Sequence, residues 1–361
     1  MKIDELETPA LLIDLDIMEA NLRRMSDYSR QQGLDFRPHI KTHRIPELAK
    51  MQVKLGARGI TVAKLGEAEV MSDAGLDDLL LAYPLLGASK AKRLRTVLEK
   101  SRVSVSLDSE ESVSWVAKAA DGKSVEVLVE IDLGARRCGV APGQEAVKLA
   151  RLIESTVGVH FGGLMFYPGH IHPEFDGNTN TLQQLNRDLQ CQLDCFEREK
   201  IPVLRVSGGS TPSAPYSDQI ENLTEIRPGT YIFNDRNTLE WKACSESECA
   251  ATLLVTVASN AVPGQVIIDG GGKAFTSDLL AAGSKGGHGL VKGHPEIVFE
   301  KMNEEHGFLK LPEGLKFAVG EQLRVIPNHI CVAVNLQDSL VACRGQEVVG
   351  EWEIKARGKS R

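Results

Sequence analysis

The chain has 361 residues, room for two domains with large cores, and its 49 acidic residues outnumber its 42 Lys and Arg to leave a net charge of −7. No basic stripe marks it for nucleic acid or an anionic membrane surface, and no apolar run approaches the ~20 residues of a membrane span. Acids stand among residues 1–7 where a signal peptide needs a basic segment, and the seven cysteines include no CxxC pair, so a soluble cytoplasmic protein without a disulfide framework is expected.

Strand-like and helix-like segments alternate from the start to about residue 240. Strands are predicted near Phe36 and over 59–63, 79–82, 103–107, 125–131, 159–166, 203–206 and 223–226. Amphipathic helices are predicted over 45–55, 67–74, 89–100, 109–119, 145–154 and 182–199. Asp108-Ser109 followed by Glu111 reads as a helix start. Eight βα units in this length predict a (β/α)8 TIM-type barrel over 13–241. An open doubly wound sheet is the alternative, but no GxGxxG follows the first strand. Beyond Trp241 the segments 251–257, 266–269, 324–326, 330–334, 340–342 and 347–349 read as closely spaced strands. They predict a mostly antiparallel β domain over 242–361, with residues 1–12 pairing with it and the basic tail 355–361 fraying.

A barrel puts its chemistry at the C-terminal ends of its strands. After the first strand comes Arg37-Pro38-His39-Ile40-Lys41-Thr42-His43. Lys41 there is a candidate Schiff-base lysine, because an amine in a partly dry, cation-rich pocket can lose its proton near neutral pH. The bland alternative is a surface lysine between solvated histidines. Loops after strands seven and eight often bind phosphate in barrels. Here they are Ser207-Gly208-Gly209-Ser210-Thr211 and Arg227-Pro228-Gly229-Thr230-Tyr231, with glycine backbone and hydroxyls suited to an anion. Phosphate anchor plus amine suits pyridoxal 5'-phosphate, an electron sink for carbanions.

His329-Ile330-Cys331 is a second constellation. In a strand, residues two apart share a face, so imidazole and thiolate converge as ligands for Zn²⁺ and leave positions open for water and substrate. A buried Cys beside a satisfied His is the competing reading. His170 and His172 form a rival pair, in what reads as a loop.

These motifs together resemble the pyridoxal-phosphate enzymes of the alanine-racemase-like barrel type (fold type III), and within them the group of D-threonine aldolase and eukaryotic-type D-serine dehydratase. The resemblance rests on Thr8-Pro9-Ala10, the 37–43 motif, residues 63–70, 207–211, 227–231 and Pro327-Asn328-His329-Ile330-Cys331. It implies that Lys41 carries the cofactor, that Arg137 and Tyr167 line its ring, and that Ser210, Thr211, Gly229 and Thr230 hold its phosphate or nearby atoms. It implies a divalent metal, Zn²⁺ or Mn²⁺, on His329 and Cys331 near the substrate β-hydroxyl, and a homodimer.

The expected activity is that of a lyase on D-3-hydroxy amino acids, first a D-threonine aldolase releasing glycine and an aldehyde. The alternative is a D-serine or D-threo-3-hydroxyaspartate dehydratase releasing a 2-oxo acid and ammonia. The general base stays open between His43, His170 and a metal-held hydroxide in the aldolase, and is Lys41 in the dehydratase. Cys331 matches the dehydratases, whereas 63–70 with 79–84 matches bacterial aldolase-like members. A pyridoxal-phosphate homeostasis protein would resemble the first domain alone. A racemase needs a second base, usually a tyrosine from the β domain, and residues 242–361 contain no tyrosine.

Overall fold

The computed structural model describes residues 1–172, 178–280 and 287–361. The chain packs as two compact units, one of 25–229 with 358–361 and the other of 1–24 with 230–357. The packing division thus falls at 229/230, ahead of the boundary expected near 241. Asn237 N–H donates to the Asn328 carbonyl and Ala250 N–H to that of Phe233, which ties 230–241 to the β unit.

Strand β1 (Ala10–Asp14) leads into helix α1 (Leu15–Gln31). The barrel strands follow: β2 (Asp35–Phe36), β3 (Ile60–Val62), β4 (Asp78–Leu81), β5 (Arg102–Leu107), β6 (Val125–Glu130), β7 (Val159–Met165), β8 (Val206–Gly208) and β9 (Glu225–Ile226). Between them run α2 (Pro46–Lys54), α3 (Leu65–Asp73), α4 (Ala88–Leu98), α5 (Glu110–Ala120), α6 (Gln144–Ser155) and α7 (Asn178–Arg198). All eight strands are parallel, in the order β2-β9-β8-β7-β6-β5-β4-β3. A bridge between His39 and Thr61 joins the two ends, with Thr61 N–H donating to the Pro38 carbonyl at 2.8 Å. That circular order is a TIM-like barrel and excludes the open doubly wound sheet.

The elements form for the reasons the sequence suggests. β3 and β4 are buried along their whole length, as parallel strands covered on both faces must be. α6 buries Ala146, Val147, Leu149, Ala150 and Ile153, one face of a 3.6-residue repeat. α5 starts after Ser109 with Glu110 and Glu111 in its first turn, where the helix dipole favours acids. Inside the barrel Arg37, 1% exposed, pairs with Asp78 at 2.5 Å and Glu225 at 2.9 Å, and so clamps β4 and β9 to the end of β2.

The second unit continues with α8 (Arg236–Glu240), β10 (Ala251–Ser259), β11 (Gln265–Ile268), β12 (Gly289–Val291), β13 (Val298–Met302), β14 (Gly307–Lys310), β15 (Gln322–Pro327), α9 (Ile330–Leu336), β16 (Ser339–Arg344) and β17 (Glu347–Glu353). With β1 these strands form one sheet of nine, antiparallel except that β1 runs parallel to β16. β1 lies between β10 and β16, so the N-terminal segment is an interior strand of this sheet.

Two expectations need correction. The apolar run 330–334 is the helix α9, not a strand. β15 stops at Pro327, and the buried Asp235 carboxylate accepts the Ile330 N–H at 3.1 Å, satisfying a donor that a helix start leaves open. Nor does the tail fray: residues 358–361 pack with the barrel unit, and the Arg361 carbonyl accepts the Gly66 N–H at 2.8 Å.

Candidate active site

Lys41 lies in a 3-10 turn, Ile40–Thr42, directly beyond β2. His39 caps this turn by accepting the Lys41 N–H at 3.4 Å. The surroundings hold the His39 imidazole well below its ordinary pKa, burial first and then the positive charges of Lys41, Arg227 and Arg137. Three cations from three loops therefore act on one neutral ring.

Arg137 lays its guanidinium over the Tyr167 ring, 4.1 Å from the centroid, and reaches Glu130 at 4.0 Å. Arg227 is buried and donates to Ser207 Oγ at 2.5 Å and to the Phe166 carbonyl at 2.8 Å. Burial lowers Arg227 to about 10 although Glu225 and Glu130 oppose the shift. Burial also pushes the Glu130 carboxyl up, against the pull of Arg227 and Arg137.

The small residues of the two phosphate-type loops are required by space. A Cβ on Gly229 would lie 2.8 Å from the His39 carbonyl oxygen and 3.1 Å from Thr42 Oγ1, so the loop beyond β9 can approach the lysine turn only with glycine there. Ser210 and Thr211 are buried beyond β8, and Ser210 N–H donates to Ser213 Oγ at 2.9 Å. Amine, cations, hydroxyls and a cradle that a Cβ would fill suit a phosphate-bearing aldehyde.

The two histidines considered as bases differ sharply. His43 is fully buried; its Nδ1 accepts the Ile45 N–H at 3.0 Å and its Nε2 faces Gln52 Oε1 at 3.3 Å. Burial lowers it to about 4. It is a neutral strut under the lysine turn. His170 follows β7 with a buried Nδ1 that makes no hydrogen bond among the described residues, and its ring packs 3.2 Å from where a Gly134 Cβ would stand. Burial lowers its pKa, with Asp132 opposing.

In the β unit, His329 is the residue before α9 and Cys331 lies in its first turn. The two side chains do meet, by a hydrogen bond between imidazole and Cys331, but at a helix start rather than along a strand. Burial would lower His329; Cys331, Asp235 and Asp278 outweigh it and bring His329 up to about 9. Its Nδ1 lies 4.0 Å from Asp278 Oδ2, and Thr230 Oγ1 lies 3.8 Å from Cys331 Sγ. Among the described residues no group of three or more His, Cys, Asp or Glu side chains could hold a metal ion. An imidazole in contact with a thiol is a donor set that fits a borderline-soft divalent ion.

His39, Arg227, Glu130, Asp235 and Asp278 escape sequence reasoning as site residues. Arg227 sits in a motif read for its glycine and threonine, and only the fold reveals where its guanidinium points.

Residues 13–237 match the family model described as "Alanine racemase, N-terminal domain", and residues 250–343 match a serine dehydratase domain. The chain belongs to the alanine-racemase-like, fold-type III family. Within this family it is 32% identical to D-threonine aldolase of Arthrobacter sp, over 98% of this chain and 94% of that one. It superposes on a crystal structure of D-threonine aldolase from Filomicrobium marinum with a TM-score of 0.91, at 28% identity, covering 100% of this chain and 98% of the other. It is also similar to a cysteine-to-alanine mutant of D-threo-3-hydroxyaspartate dehydratase in the metal-free form, with a TM-score of 0.86, 29% identity and 98% of each chain covered. Fold-type III membership on the aldolase and dehydratase branch is therefore established for nearly the whole length.

Proposed function

We propose that this chain is a pyridoxal-phosphate- and divalent-metal-dependent lyase of D-3-hydroxy amino acids, cleaving a D-threonine-like substrate into glycine and an aldehyde. The observation that carries the reading is the contact between His329 and Cys331 in a fold-type III chain whose residues 242–361 contain no tyrosine. A metal pair in place of a second base suits a bond to the β-carbon rather than racemisation.

When bound, pyridoxal phosphate supplies an electron sink for negative charge at Cα. Lys41 would supply the amine that holds it; Ser210, Thr211, Gly229 and Thr230 would hold its phosphate or nearby atoms, and Arg137 with Tyr167 would flank its ring. His329 and Cys331 hold Zn²⁺ or Mn²⁺, a Lewis acid for the β-hydroxyl. His170 is the better-placed general base, because among the described residues its buried Nδ1 has no hydrogen-bond partner, whereas both nitrogens of His43 are engaged. The reading includes a homodimer in the cytoplasm; a sedimentation mass of one chain would remove the dimer from it.

Dehydration is the second reading. It is favoured by Cys331, since the similar dehydratase was solved metal-free as a cysteine-to-alanine mutant. A product assay on D-threonine and D-serine, with Mn²⁺ or Zn²⁺ and again after chelation, separates the two. Glycine and acetaldehyde that vanish on chelation support the aldolase. 2-Oxobutyrate or pyruvate supports the dehydratase, and D-to-L conversion alone would overturn both.

A further inference from the structure

The barrel strands carry charge at their starts. Asp35 opens β2, Asp78 opens β4, Arg102 opens β5 and Glu225 opens β9, while Arg205 stands one residue before β8. Strand starts lie at the end of a barrel away from its chemistry. These side chains therefore gather at the opposite mouth from Lys41, which lies beyond the end of β2. That mouth holds a cavity of about 430 Å³, the size of a small-ligand site. We propose that this cavity binds a small phosphate-bearing molecule.

Six cations line the cavity, Arg37, Arg58, Lys100, Arg102, Lys123 and Arg205, against three acids. Two of those acids are already engaged. Asp78 accepts from Arg37 through Oδ1 at 2.5 Å and from Arg102 through Oδ2. Glu126 Oε2 accepts from Arg205 Nη2 and from Ser104 Oγ, each at 2.5 Å. The fully buried Glu225 takes Arg37 at 2.9 Å and stands 3.8 Å from Arg205 Nη1. The outer cations are held less firmly. Lys123 Nζ donates to the Leu98 carbonyl rather than to an acid. Arg58 and Lys100 pair with Asp35 and Asp73, whose side chains are 46% and 64% exposed. Exposed pairs of that kind hold weakly and yield to a multiply charged anion.

Donors are left over as well. Among the described residues the guanidinium groups of Arg58, Arg102 and Arg205 each donate hydrogen bonds through one nitrogen alone. Arg205 is only 8% exposed, and its Nε makes no hydrogen bond among the described residues. Buried donors ordinarily have partners, and anionic oxygens supply what this lining lacks. Arginine forks bind phosphate oxygens in pairs, and here three of them reach the cavity from β5, from the residue before β8 and from the segment ahead of β3.

The test is calorimetric titration of the full chain with inorganic phosphate at constant ionic strength, and with succinate as a carboxylate dianion. Divalent metal is left out, and saturating pyridoxal phosphate occupies the candidate active site. Phosphate is expected to bind with a Kd of about 1 mM or tighter, and more tightly than succinate. Arg102→Gln and Lys123→Gln should each weaken it about tenfold, the loss of one charged hydrogen bond, with circular dichroism and melting temperature checked against the parent. Lys123 pairs with no acid among the described residues, so its variant keeps the test open if Arg102→Gln fails to fold. Absence of phosphate binding, equal affinity in Lys123→Gln, or tighter binding of succinate would overturn the proposal.

Discussion

Asp235 shows how one buried carboxylate shapes a site it need not ligate. It caps α8, accepts the first N–H of α9, and lends its charge to His329. Asp235→Asn should therefore weaken Zn²⁺ or Mn²⁺ binding about 10–100-fold in competition with a chromophoric chelator, and an unchanged affinity would deny it that role. His43 acts through burial. Its pKa falls from the ordinary 6.5 to about 4, so the unfolded chain takes up this proton first as pH drops. The contribution is present above pH 6.5 and is lost as pH falls toward 4. It amounts to about 3 kcal/mol. Denaturant titrations of cofactor-free protein should show the loss, and His43→Gln should flatten it. The place of Lys41 beyond a barrel strand was legible in the sequence because its motif is contiguous and follows an apolar run. The standing of His43 was not, since it depends on Gln52, nine residues away on α2, and on the packing around both.

At the scale of elements, the barrel strands could be read because each is a short apolar or β-branched run followed by a helix of clear periodicity. Their order could be read because a barrel has only one simple closure. The helix α9 was hidden for a physical reason. Its seven residues include Val332 and Val334, and a short apolar run with β-branched residues carries no periodicity to tell helix from buried strand. The interaction that marks its start is the bond donated by the Ile330 N–H to Asp235, far off in sequence. The ionic clamp of Arg37 yields a sharper test. Arg37→Ala strips the buried Asp78 and Glu225 of their shared partner and leaves them only Arg102 and Arg205, and urea unfolding should show a loss of about 3 kcal/mol. A loss under 1 kcal/mol, the scale of an exposed ion pair, would contradict the clamp. Gly229→Ala should reduce pyridoxal-phosphate affinity in a fluorescence titration, because its Cβ would press on the His39 carbonyl at 2.8 Å and push the loop from the lysine turn. Retained affinity would mean the loop has room to spare.

For the molecule as a whole, the chain crosses between its units rather than finishing one before starting the next. β1 lies between β10 and β16, and Ile3 and Leu12 pack with Leu254 and Cys343 in one core cluster. Deleting residues 1–14 should leave two interior strand edges bare and give aggregated protein on size-exclusion chromatography; a monodisperse product would show that β1 is dispensable. The pairing of the first residues is hard to read from sequence, because a five-residue apolar strand does not announce its partner. The proposed chemistry depends on Lys41 holding the cofactor. Borohydride reduction of the cofactor-loaded protein, followed by peptide mass mapping, should place a stable pyridoxyl adduct on Lys41. An adduct on another lysine, or none, would contradict it.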